Sequence, residues 1–170
     1  MEEKITTHFT KGLIIGLLVV TMGFTFQMFD LYEKWVQWLS TFVYFAAIIW
    51  ACISFSRQMK GNVRFGEIFS HGFKTVAIVT LIGIAAFIVS YFLMPELKQK
   101  AMEIARADMA KNKDMNQELI DQAMSWADKL YFVGGIVGSL FLYAFSGAIA
   151  SLIGAAVAKK NSNPTIPKSL

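Results

Sequence analysis

The chain has 170 residues, of which 55% are apolar and only 16% charged, with a mean hydropathy of +0.49 and a formal net charge of +4. A soluble domain carries roughly 25% charged residues and disperses its apolar ones with the period of its secondary structure. Here the apolar residues fall in long uncharged blocks, which sets aside a water-soluble globule, and the basic residues flank those blocks instead of forming a nucleic-acid surface.

The first block runs from Gly12 to Phe29 without a charge. As a helix it would cover ~27 Å, close to a hydrocarbon core of ~30 Å. A signal peptide would have a shorter apolar region followed by small residues at a cleavage site. Gln27-Met28-Phe29-Asp30-Leu31-Tyr32 stands there instead, so the block reads as an uncleaved span. The second block, Trp35 to Ser56, follows after so short a link that the two must form an antiparallel helical hairpin. Its single cysteine, Cys52, has no partner for an internal disulfide.

The third block has an uncharged core from Thr75 to Met94, and Phe65, Ile68, Phe69 and Phe73 extend an apolar helical face upstream, giving a span over about 68–94. Pro95 ends it or opens the next helix at a position where its missing N–H is harmless. Residues 95–129 form a polar, helix-rich segment. Leu97, Ala101, Ile104 and Ala105, with Met102 and Met109, make one amphipathic stripe, and Leu119, Ile120, Ala123 and Ala127 make a second. Between them Asp114 to Gln117 fits a capping box. The stripes either pack over the bundle or offer an adaptable Met-rich face to a partner. The fourth block, 130–158, closes with Lys159-Lys160 and is too long to span without tilt or a protruding end around Tyr131 and Phe132. The expected fold is all-α: an integral membrane four-helix bundle with spans near 12–29, 35–56, 68–94 and 130–158.

Orientation follows from basic residues in short loops. The loop from Arg57 to Lys74 carries Arg57, Lys60, Arg64 and Lys74 against Glu67 alone. The basic residues of 95–129 are interleaved with acids. Both termini are therefore expected in the cytoplasm. The interfacial aromatics Phe29, Tyr32, Trp35, Trp38, Tyr91, Phe92, Trp126, Tyr131 and Phe132 all fall on the opposite side.

Small residues concentrate in the fourth span. Gly134 and Gly138 form a GxxxG, and Gly147, Ser151 and Gly154 continue the small-residue pattern, with Ala150, Ala155 and Ala158 beside them. Such residues let helix backbones approach closely in lipid, either within the bundle or between copies. The two histidines sit in similar contexts, before the first span and before the core of the third, as if a two-span hairpin had been duplicated. His8, Lys11, His71 and Lys74 are candidate contacts for an anionic headgroup. Cys52 is expected too deep in the bilayer to join the histidines as a metal ligand. No Asp, Glu, Lys, Arg or His lies inside the uncharged cores, which argues against an ion-coupled transporter. No HExxH or GxSxG occurs, and no catalytic residue, metal or cofactor is expected.

The run Gly61-Asn-Val-Arg-Phe-Gly-Glu-Ile-Phe-Ser-His-Gly-Phe73, with the polar segment before the last span and the terminal Lys pair, resembles a family of small four-span membrane proteins of Bacteroidota catalogued as domain of unknown function 4199. The resemblance covers roughly Thr7 to Lys160. It implies a four-helix architecture in a bacterial inner membrane, and no activity. Two functional classes stand: a non-enzymatic structural or interaction protein, associating as a homo-oligomer or with a membrane protein partner, and a small oligomeric carrier or channel for an uncharged or amphipathic solute. The sidedness has a direct test. A cysteine replacing Lys113 should react with an impermeant thiol reagent in intact spheroplasts, and one replacing Lys60 should not; the reverse pattern would overturn the topology.

Overall fold

Thr7 opens the first helix by accepting the N–H of Thr10 on its hydroxyl at 3.3 Å, which satisfies one of the backbone donors a helix start leaves free. The computed structural model of the protein describes residues 6–31, 33–112 and 115–161. Tyr32, Lys113, Asp114 and the terminal lysines Lys4 and Lys168 lie outside the described residues. Among the described residues the fold is all-α, with helices α1 (His8–Met28), α2 (Lys34–Gln58), α3 (Phe65–Leu93), α4 (Pro95–Ala110) and α5 (Gln117–Val157). Four of them, α1, α2, α3 and α5, are long and apolar enough to cross a membrane.

The helix ends follow from their residues. α1 closes with Asp30 in the left-handed region (φ 56°), a conformation Asp tolerates, and Leu31 N–H returns to Phe26 C=O at 2.9 Å. α2 closes the same way: Lys60 and Gly61 are left-handed, and Gly61 N–H reaches Ser56 C=O at 2.8 Å. Gly61 has a second constraint, since a Cβ there would stand 3.0 Å from Asn161 Oδ1. At the start of α3 the Glu67 carboxylate accepts the N–H of Arg64 at 2.7 Å. Pro95 takes the first turn of α4, where the helix needs no N–H from it. Asn116 caps α5 by accepting the N–H of Leu119 at 2.9 Å. From there α5 runs 41 residues, so the second helix of the polar segment and the fourth span belong to one helix. Sequence reading divides them because composition changes near Leu130; helix propensity does not change there.

The chain divides into two compact units. The first comprises the described residues up to Gly83 and those from Phe141 onward; the second is Ile84–Leu140. In the first, Ile15, Tyr44, Ile48, Ala51, Val76, Val79 and Ala150 form one core cluster drawn from α1, α2, α3 and α5. Cys52, Val63, Ile68, Ala155 and Ala158 form another. Large apolar side chains face outward instead, among them Leu17, Leu18, Trp38, Phe42, Trp50, Leu81 and Phe145. This is the distribution expected where the surrounding solvent is hydrocarbon and the interior is made by close helix approach.

Glycines make that approach possible. A Cβ at Gly12 would meet Ile78 Cβ at 2.6 Å, and one at Gly16 would meet Ile82 Cδ1 at 2.6 Å, so α1 lies directly on α3. A Cβ at Gly154 would stand 2.7 Å from Cys52 Cβ and 3.2 Å from the Cα of Ile49, so α5 rests on the backbone of α2. In the second unit Gly135 accommodates the Phe87 ring, into which a Cβ would run. Tyr91 packs on Phe132 with centroids 4.8 Å apart. Lys98 pairs with Asp128 at 2.7 Å, and Arg106 with Asp121, joining α4 to α5. On α4, Leu97, Ala101, Ile104 and Ala105 are half-buried; on α5, Ile120 is the buried residue of the second stripe and Leu119 is exposed.

Gly154→Ala should lower the melting midpoint of the purified protein by the equivalent of about 1–3 kcal/mol, because backbone would have to move. Gly23→Ala, where the added methyl meets nothing within 4 Å, should leave stability unchanged or slightly raised. Equal melting of the two variants would remove close approach as the source of cohesion.

Candidate functional site

Two features bear on function: a buried polar cluster in the first unit, and the small residues along α5. The cluster forms where α1 and α3 begin and α2 ends. Lys11, in the first turns of α1, is 1% exposed. Its ammonium donates to the carbonyl of Ala51 at 3.3 Å and stands 6.0 Å from the Phe55 ring centre. His71 of α3 is 7% exposed and stacks on that ring, with centroids 4.1 Å apart. His8 meets His71 edge-on at 6.0 Å. Thr75 donates its hydroxyl to the His71 carbonyl at 2.9 Å, which occupies the backbone but not the ring. Nε2 of His71 has no hydrogen-bond partner, and the same holds for the hydroxyl of Ser151, which is fully buried.

Three of the four candidate headgroup residues are thus brought together, His8, Lys11 and His71. Lys74 is exposed one turn further along α3. Sequence reasoning missed Phe55 and the carbonyl of Ala51. Phe55 is one aromatic among many in an apolar block, and a backbone acceptor leaves no trace in a sequence. The Cys52 sulfur lies 3.8 Å from the carbonyl of Ile68 and 4.0 Å from that of Ser151. Among the described residues no three of His, Cys, Asp and Glu are grouped to hold a metal ion.

The small residues of α5 divide into two environments. Gly147, Ser151 and Gly154 are buried within the first unit. A Cβ at Gly147 would meet the Tyr44 hydroxyl at 2.5 Å, and one at Gly72 would meet Ser151 Oγ at 2.8 Å. Gly134 and Gly138, in the second unit, are different. A Cβ at either would meet nothing within 4 Å, and Leu130, Val133 and Val137 around them are exposed.

The second unit also contains a cleft of about 640 Å³ between α4 and α5, lined by Tyr91, Pro95, Lys98, Gln99, Met102, Arg106, Met124 and Asp128. Its two cations are already engaged. The hydrogen bond with Asp128 holds the Lys98 ammonium above its ordinary range, and Arg106 is paired with Asp121.

No curated protein and no solved structure matches the chain. Residues 10–160 match the family described as protein of unknown function (DUF4199). With that match over most of its length and four helices suited to crossing a bilayer, the chain belongs to this family as an all-α, multi-pass membrane protein.

Proposed function

We propose that the protein is a non-enzymatic interaction protein of a bacterial inner membrane, with both termini cytoplasmic, which associates through the face of α5 that carries Gly134 and Gly138. The observation behind this reading is the contrast along one helix. Gly147, Ser151 and Gly154 are filled by the chain's own side chains, whereas Gly134 and Gly138 meet none. In hydrocarbon, exposed Leu and Val are ordinary, because lipid tails are as apolar as they are. Paired glycines are not explained by lipid, since they weaken a helix by about 1 kcal/mol each relative to alanine. What they offer is a shallow groove in which a second helix backbone can lie, held by dispersion contacts. The flanking Leu130, Val133 and Val137 supply the walls. The short basic loop from Arg57 to Lys74 supports the cytoplasmic assignment of the termini.

Because nothing among the described residues abuts these positions, a substitution separates association from folding. Gly138→Leu should reduce the oligomer fraction in detergent or vesicles, measured by cross-linking or sedimentation, by about tenfold in the association constant. The melting midpoint of the monomer should not move. An unchanged oligomer, or a wild type that is monomeric and carries no protein partner through gentle purification, would overturn the proposal. A bound small molecule on such a preparation would instead favour a carrier.

A further inference from the structure

We infer that the cluster of Lys11, His71, His8 and Phe55 is a binding site for a phosphate-type oxyanion, carried on a lipid headgroup or free in solution. The inference is independent of the α5 face.

Lys11 poses the problem that such a ligand solves. An ammonium has three N–H donors and no acceptor. At Lys11 one donor is taken by the Ala51 carbonyl, and the Phe55 ring face supplies a weak second attraction. Among the described residues no carboxylate pairs with it. Burying a cation without a counter-charge is strongly unfavourable, so such groups are paired or bind an ion. Within a membrane protein the default reading of one is functional.

His71 supplies the second, independent observation. Its Nε2 is buried without a partner, although the ring is fixed on both sides, by the stack on Phe55 and the edge of His8. The charged and titratable groups that act on His71 are Lys11, His8 and Lys74, all basic, and they come from α1 and from α3 itself. The local field therefore selects an anion over a cation or a neutral ligand. A phosphate group offers several acceptor oxygens about one centre. That is enough for the free donors of Lys11 and for an N–H on His71, which a halide could not bridge. The place suits a headgroup too. His8 and Lys11 lie in the first turns of α1, beside exposed Thr7, where a span meets the polar boundary of a bilayer.

The full chain in a maltoside detergent, free of phospholipid, tests this in two arms. One compares melting in sodium phosphate with melting in sodium chloride at equal ionic strength. The other adds phosphatidylglycerol at constant salt and counts bound lipid by native mass spectrometry. A rise in the melting midpoint confined to the phosphate arm identifies a free oxyanion; a rise with stoichiometric lipid in the second arm identifies a headgroup. In either case Lys11→Met should weaken binding at least tenfold. His71→Phe, which keeps the stack on Phe55, should weaken it in the same direction and carries the comparison if Lys11→Met does not fold. No response in either arm, or equal responses of wild type and both variants, overturns the inference.

Discussion

Close approach of α5 to α2 and α3 around Cys52 is the contact on which the first unit depends. Lipid gives helices no hydrophobic reason to associate, because tails solvate Leu as well as another Leu does. Cohesion has to come from dispersion between surfaces that fit. Fit is greatest where side chains are small enough for backbone to touch backbone. Gly72 admits Ser151, Gly154 admits Cys52 and the Cα of Ile49, and Gly147 admits Tyr44 and Val76. Tyr44 adds a directional bond by donating its hydroxyl to the carbonyl of Tyr143 at 3.0 Å. The hydroxyls of Thr75 and Thr80 bond back to their own helix, at His71 and Val76, so they enter the interior without leaving polar atoms unsatisfied.

Against that background the unsatisfied groups stand out. The two described side-chain atoms that are buried without a partner, His71 Nε2 and Ser151 Oγ, both belong to this unit. So does Lys11, the largest buried side chain with a formal charge. An interior that satisfies its threonines so consistently does not leave an ammonium half-satisfied by lack of means. A methionine of similar length would fill the same space.

Much of the fold was legible. Uncharged runs long enough to cross a bilayer identify spans regardless of what packs on what, and the apolar face from Phe65 onward marked the true start of α3. Faces were not legible. When a helix is apolar all round, its periodicity carries little information about which side is inside. That is why Gly134 and Gly154, identical in kind, could not be told apart, though one faces open space and the other a backbone. Lys11 and Lys74 illustrate the same limit for charge: each flanks an apolar core in sequence, yet Lys11 is enclosed and Lys74 is exposed. The continuity of α5 is hidden by the opposite effect, since composition changes near Leu130 while the helix continues.

The turn between α2 and α3 is tied to the far end of the chain. Asn161 N–H donates to the Gly61 carbonyl at 2.9 Å, its side-chain amide donates to the Lys60 carbonyl at 3.3 Å, and Ser56 donates to the carbonyl of Lys159. These bonds join residues about a hundred positions apart, and they cannot form until the last helix has left the ribosome. Until then the surface of α2 and α3 at Cys52 and Gly72 lacks the Ser151 and Gly154 contacts that α5 brings to it. Cys52 is buried in the finished unit, so a thiol that reacts with reagent marks a chain whose last helix is not docked.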